Sequence, residues 1–456
     1  MTLETVAANL GGVALVALPG LGLVELFAPL RRLPFPSRLG YSYLLGLLTL
    51  GGALFAGSHL FGVPLRRPAI LAVALVPAVL GLIRRHPRVH SRSSRWQLAA
   101  VLCIAAICLG PLTSALTAPL GDWDGRMTWS PLAAYLRAEG TVDASVLQED
   151  HWWIVHPRYP PLLPLAQVAV QETFGAGEDD QYYRALYAAF LPALLLVLYD
   201  GSRRAAGTRT AILTTSSVAV LPFLSYGAGG ATSAYSDLPL AGFYGAALVL
   251  LLLERRRPSA GLAAGCMLAG AILTKNEGAL LAIAALILAS LRLDRRHSSW
   301  FACAAGPALA AFALLTSWRA AIPNRQDEDY FAVLSLPDLL HGAFARLPVI
   351  VPEILRWTFR WSSWLGFWIL FLVILIAGWR ALRRPDARLL LLAGLVPAAI
   401  GWAAYAVSTR VEGLMGETWD RFLLQGMIPL AITFACALQK ILAHRVDFAP
   451  PRSTYE

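Results

Sequence analysis

The sequence predicts an all-α polytopic membrane protein, and three observations predict it. Hydrophobic residues make up 57% of the 456 positions and charged residues only 14%, against about 25% charged in soluble domains, and the mean hydropathy is +0.58. Apolar runs of roughly 17–25 residues, enough to cross about 30 Å of hydrocarbon, recur from end to end and leave no room for a large soluble domain. Short arginine clusters separate these runs at alternate junctions. The net charge of +10 therefore reads as a topology signal rather than a nucleic-acid surface, because the basic residues do not line one soluble face.

The first run, 6–30, is too long for a signal peptide, contains Pro19, and lacks a basic start and a clear small-residue cleavage site, so a retained helix is expected. Further spans are expected at 39–63, 69–83, 97–118, 183–200, 210–228, 237–253, 259–274, 278–291, 299–318, 363–379, 389–408 and 422–443, about 13 in all. Two of these, 259–274 and 278–291, are short and meet at Thr274-Lys275-Asn276-Glu277-Gly278, which predicts a hairpin with an outward tip. Arg31-Arg32, Arg84-Arg85, Arg203-Arg204, Arg255 to Arg257, Arg295-Arg296 and Arg383-Arg384 mark cytoplasmic connections by the positive-inside rule. That rule puts the N-terminus outside, Lys440 and Arg445 inside, and three loops outside: 119–182, 320–362 and 409–421. Pro160 to Phe174 is apolar but short and proline-rich, so it is expected to re-enter the membrane or lie along its surface. Residues 444–456 form a cytoplasmic tail. All five cysteines fall in apolar runs without metal-ligand spacing, which predicts packing roles and no disulfide framework.

Polar groups concentrate in the outer segments. Asp122-Trp123-Asp124-Gly125-Arg126 opens the first loop at a helix end; carboxylates at i, i+2 diverge on a helix, so one base with a supporting acid fits better than a twin-carboxylate site. Capping of the next helix is the alternative use of either acid. In His156-Pro157-Arg158-Tyr159-Pro160-Pro161, Arg158 offers a planar fork for phosphate and His156 a titratable donor, with an interfacial anchor of Trp152, Trp153, His156 and Tyr159 as the alternative. Arg126 and Tyr159 count with the substrate-binding set. Glu149, Asp150, His151 and His156 match no metal template. Asp237, two residues before Pro239, reads as a helix cap. Lys275 is one of two lysines among 38 basic residues, and a lysine at membrane depth needs a partner or a cavity. Glu277, at i+2 from Lys275, is expected to have a different partner. Arg421, placed at an outer helix start, opposes both the helix dipole and the positive-inside trend; a salt bridge or a phosphate would explain it.

Taken in order, Asp124 with Trp129 five residues on, HPRYPPLLPL from His156, YSDLPLA from Tyr235, LTKNEG from Leu273 and Arg421-Phe422 before the last helix resemble bacterial family 39-like membrane glycosyltransferases. These belong to the GT-C class, which includes protein O-mannosyltransferases and aminoarabinose transferases. The resemblance covers roughly residues 97–443, leaving 1–96 as preceding helices. It implies a GT-C-like transmembrane catalytic module that passes a hexose or pentose from a polyprenyl-phosphate donor to a hydroxyl of a glycan, lipid or protein, with inversion, on the outer face of a bacterial plasma membrane. Asp124 would be the base, with Asp122 the runner-up; Asp237 and Glu277 would line the donor or acceptor pocket; Lys275, Arg158 and Arg421 would hold phosphate. No cofactor is implied, although a divalent metal is compatible, and membrane lipids rather than nucleic acid are the expected partners. One departure is that the first motif reads Asp-Trp-Asp where the family has adjacent acids. The rival reading is a transporter or flippase for a lipid-linked or small solute, which needs ionisable groups near the bilayer midplane; no repeat or matched pair of broken helices supports it.

The topology is testable by cysteine labelling. Ser145→Cys should react with an impermeant reagent added outside and Ser259→Cys only from the inside; the reverse pattern would place the acidic motifs in the cytoplasm.

Overall fold

The computed structural model describes residues 2–84, 95–149, 156–175, 180–293, 295–323, 336–408 and 411–447. Every regular element among them is helical, as a chain in lipid requires when each backbone donor must be satisfied within its own segment. The principal helices are α1 (Leu3–Leu26), α2 (Phe35–Phe61), α3 (Arg67–Ile83), α4 (Arg95–Thr117), α5 (Ser130–Glu139), α6 (Leu162–Phe174), α7 (Phe190–Ala206), α8 (Thr208–Ala219), α9 (Asp237–Leu252), α10 (Pro258–Thr274), α11 (Glu277–Ser290), α12 (Ser298–Ala320), α13 (Leu336–Thr358), α14 (Phe367–Ala377), α15 (Pro385–Val407), α16 (Val411–Gln425) and α17 (Met427–Asp447).

Each expected apolar segment falls wholly or largely on helix. Among the described residues, five helices are individually long and apolar enough to cross a membrane, and the bent pair Gly413–Gln425 with Met427–Ala443 supplies a sixth. The expected count of about 13 crossings is therefore not confirmed, since several expected spans are helices of 10–17 residues. The most central of these, α9, shows why a short helix suffices. Its 16 residues span about 24 Å, all 16 are buried, and it packs between α7, α10, α16 and α17. A helix apolar all round belongs inside the bundle, where it need not match the lipid thickness.

Two expected loops are corrected. The segment 320–362 contains α13, a 23-residue helix interrupted by Pro348 and Pro352; its charges mask an amphipathic pattern that is not that of a span. Likewise 409–421 is mostly α16, which runs on into α17 through a 56° bend. The bend falls at Gly426, where a Cβ would lie 2.3 Å from the Gly394 carbonyl oxygen, so only glycine lets α15 approach there. The Pro160 to Phe174 segment forms α6, of whose 13 residues eleven are buried, packed on α1, α2 and α5.

The first helices are built into the rest. The Asn9 side chain accepts a hydrogen bond from the Ala185 N–H at 2.8 Å, and the Tyr43 hydroxyl donates to the Leu186 carbonyl at 2.7 Å. At the α1–α2 crossing a Cβ on Gly20 would sit 1.7 Å from the Ser42 carbonyl oxygen, and one on Gly46 1.8 Å from that of Val16. Small residues that let backbones approach are a main source of helix association in lipid.

That contact predicts a contrast. Gly46→Val should cost about 1–3 kcal/mol by overpacking and lower the thermal midpoint of the detergent-purified protein, whereas Gly52→Ala, whose nearest neighbour is Leu48 Cδ1 at 3.5 Å, should melt with the native chain. Equal melting of Gly46→Val would contradict the crossing.

Candidate functional site

The sequence brings acids and cations to the same end of α9, α10, α11 and α16, and the fold joins them. Asp237 is the first residue of α9 and wholly buried. Its Oδ1 accepts from Lys275 Nζ at 2.9 Å and from Gln425 Nε2 at 2.8 Å, and its Oδ2 from Arg421 Nε at 2.8 Å. It does not cap α9, whose N-cap is Ser236 without a side-chain bond. The carboxylate instead binds three side-chain donors from other helices, as a buried charge must.

Lys275 follows α10 in an extended conformation, φ −157° and ψ 156°. It therefore escapes the helical geometry on which separate partners for Lys275 and Glu277 were expected. Its ammonium lies 2.9 Å from Asp237 and also 2.9 Å from Glu277 at the start of α11. Arg421 is likewise not at a helix start. It stands in the C-terminal half of α16, inside the helix, and its Nη2 donates to Asp124 Oδ2 at 2.7 Å. A continuous chain results: Asp124, Arg421, Asp237, Lys275, Glu277. The acids that neutralise Arg421 are distant in sequence, not the neighbouring Asp420 or Glu417.

Asp124 precedes the π-helical turn Gly125–Trp129 and makes no capping bond. Its backbone N–H donates to the Tyr235 hydroxyl at 3.2 Å, and the Arg421 guanidinium lies 4.7 Å from the centre of the Tyr235 ring. Burial pushes the Tyr235 phenol up to about 12, so it stays neutral. Asp122 lies apart from this chain. Burial, opposed by the Arg184 guanidinium and reinforced by the charge of Asp124, raises its carboxyl above its ordinary value. Gly229, at φ +102°, closes the neighbourhood, with a Cβ position 3.2 Å from that of Asp237 and 3.3 Å from Arg421 Cγ.

A cavity of about 840 Å³ opens against this chain. Asp124, Tyr235 and Arg421 line it, together with Trp123, Arg360 and Asp420. Asp420 is buried and takes its hydrogen bonds from neutral donors, Ser363 Oγ at 3.0 Å and Trp364 Nε1 at 2.8 Å. Arg360 donates from Nε to Ser362 at 3.0 Å and lies 4.8 Å over the Trp357 ring.

The HPRYPP segment does not line this cavity. His156, at φ 64°, stacks on Tyr159 with centroids 4.6 Å apart, and Tyr159 packs 5.5 Å from the buried Trp129. His156 and Tyr159 thus face the first motif rather than an aromatic belt; Trp152 and Trp153 lie outside the described residues, as do Asp150 and His151. The Arg158 carbonyl accepts from Arg319 Nε at 2.8 Å, and Arg319 also binds the Asn276 side chain. Arg126 is exposed. Sequence reasoning missed Gln425, Arg360 and Arg319, and gave Asp420 only as a salt-bridge partner for Arg421. Only Gln425 was within reach, because it stands four residues after Arg421 on the same helical face.

With the geometry in place, one family comparison points the same way as the motif order. The dolichyl-phosphate-mannose-protein mannosyltransferase family matches residues 158–318, which bears out the GT-C resemblance and includes Asp237, Lys275 and Glu277. No curated protein matches the chain. Among solved structures, ArnT from Cupriavidus metallidurans bound to undecaprenyl phosphate is similar at 18% identity and a TM-score of 0.49, over 78% of this chain and 61% of that one. The oligosaccharyltransferase AglB from Archaeoglobus fulgidus, in complex with an inhibitory peptide and a dolichol phosphate, is similar at 15% identity and a TM-score of 0.44, over 79% and 53%. The chain thus spans less than two thirds of the length of either.

The ion chain makes a stability prediction. Asp237→Asn leaves Lys275 and Arg421 buried with one carboxylate each and should destabilise by about 3–5 kcal/mol, while Lys275→Met in the same background should recover part of the loss. Unchanged denaturation of Asp237→Asn would mean that the two cations do not depend on it.

Proposed function

We propose that the protein is a membrane glycosyltransferase that moves a sugar from a polyprenyl-phosphate donor to an acceptor hydroxyl, with inversion and with Asp124 as the base. The observation that carries this reading is the position of Asp124. It is the one acid of the first motif that lines the large cavity, and it is tied through Arg421 to the buried Asp237. Arg421 holds Oδ2, and among the described residues Oδ1 accepts no hydrogen bond. That oxygen is the one available to take a proton. A cavity of this volume falls in the range that encloses small ligands.

In the reaction, the acceptor oxygen attacks the anomeric carbon as its proton passes to Asp124, and the bond to the phosphate oxygen breaks on the opposite face. The lipid phosphate leaves as an anion, so a base and individual cations placed near its oxygens suffice without a strong acid. The charges refine which cations serve. Lys275 is only 5% exposed and lies between two carboxylates, so its work is to hold Asp237 and Glu277 in place. Arg421 and Arg360, both on the cavity wall, are the groups positioned to meet phosphate. Arg158, His156, Tyr159 and Arg319 act by fixing the loops around the cavity.

The site is assigned to the outer face because the arginine clusters Arg203-Arg204 and Arg255 to Arg257 stand at the other ends of α7, α9 and α10.

Asp124→Asn keeps the size of the side chain and can still meet Arg421 through its amide oxygen, yet cannot accept a proton at neutral pH. Purified Asp124→Asn should bind polyprenyl-phosphate sugar but transfer it about 100- to 10,000-fold more slowly, with Asp122→Asn affected less; full activity in Asp124→Asn would remove it from the mechanism. Arg360→Gln should weaken donor binding by a factor expected of a lost charge-assisted contact, about 1.5–3 kcal/mol, without lowering the melting temperature, and unchanged donor affinity would exclude it from the clamp.

A further inference from the structure

A second, smaller cavity of about 240 Å³ lies at the opposite end of the same helices. The site residue Asp237 starts α9, and Glu254 stands two residues beyond its end; a 16-residue helix puts about 24 Å between the two sites. The small cavity is lined by Arg32, Arg203, Arg204, Arg255 and Arg257, with Glu254 the only acid among the described residues.

Two of the arginines are part of the scaffold. Arg204 bridges the wholly buried Asp200, at 2.8 Å, and Glu254, and Arg203 pairs with Asp200 at 3.0 Å. The Tyr41 hydroxyl completes the Asp200 shell at 3.3 Å. The two acids thus neutralise Arg203 and Arg204 and no more. Arg32, Arg255 and Arg257 are exposed and have no ion-pair partner among the described residues, so the cavity keeps an excess of three positive charges. Among the described residues the buried Arg204 Nη2 donor also lacks an acceptor. Near the lining residues in sequence, Leu262, one turn into α10, is 41% exposed, and Leu26, the last residue of α1, is 37% exposed. Unpaired cations above exposed leucines match the two halves of a lipid, an anionic head and acyl chains.

The geometry points to a binding site for a phosphate group at this end of the protein, chemically that of an anionic phospholipid headgroup and separate from the glycosyl-transfer cavity. The site is preorganised, because Asp200 and Glu254 fix Arg203 and Arg204 from behind and leave the three outer arginines to converge on the ligand. Soluble phosphate shares the chemistry but has no use for the leucines.

The test uses the full purified chain and native mass spectrometry after incubation with phosphatidylglycerol or phosphatidylcholine. The native chain should retain phosphatidylglycerol in preference, and each of Arg32→Gln, Arg255→Gln and Arg257→Gln should weaken that retention on the order of fivefold, with phosphatidylcholine unaffected. Since all three side chains are exposed, the variants should fold, and Arg255→Lys should largely restore binding. A parallel arm measures thermal stabilisation by inorganic phosphate. Stabilisation that depends on the same arginines, without a lipid preference, would keep the phosphate site and assign it to a soluble ligand. Indifference of both lipid retention and phosphate stabilisation to all three substitutions would overturn the proposal.

Discussion

A carboxylate with no solvent contact, Asp237, is the constraint around which the site is built. An isolated ionised carboxylate in a bundle of apolar helices is prohibitively costly, and here Lys275, Arg421 and Gln425 meet it from three directions. Several local irregularities follow from that requirement. The chain leaves α10 extended at Lys275 so that the ammonium reaches across to α9. The bend between α16 and α17 lies one residue beyond Gln425, close to where Arg421 and Gln425 project at i, i+4. Gly229 takes a left-handed conformation beside both partners. Arg421, once held by Asp237, carries the constraint outward to Asp124 and hence to the cavity.

The same residues show how much could be read from the chain. Apolar runs located the helices, since burial in lipid leaves the backbone few alternatives, and the ordered motifs identified the acids and cations that converge. What could not be read was their pairing. Rules for i, i+2 spacing assume a helix, and Lys275 is not in one. Arg421 was assigned to a helix start because the glycine-containing segment before it, Val411 to Gly416, looked like loop; it is the first half of α16. Arg360 carried no signal at all, because an exposed arginine next to tryptophans is indistinguishable in one sequence from an ordinary anchor, and Asp420 read as a partner of Arg421 where it in fact binds Ser363 and Trp364.

The two ends of the bundle divide the electrostatics. At one end cations are matched or outnumbered: Asp124, Asp237 and Glu277 face Lys275 and Arg421. At the other, arginines outnumber acids. α9 and α10 join both ends, so the positive-inside pattern and the acidic site are consequences of one arrangement of helices. At the site the charge of Arg421 is held by two carboxylates, Asp124 and Asp237.

The central claim is that Asp124 and Arg421 act as one unit in transfer. The most direct measurement is a double-mutant cycle of Asp124→Asn and Arg421→Gln, with transfer rates taken at saturating donor. Groups that act together are strongly non-additive, so the double variant should be about as slow as Asp124→Asn alone. Losses that simply multiply would show that the two residues act independently and would contradict the account.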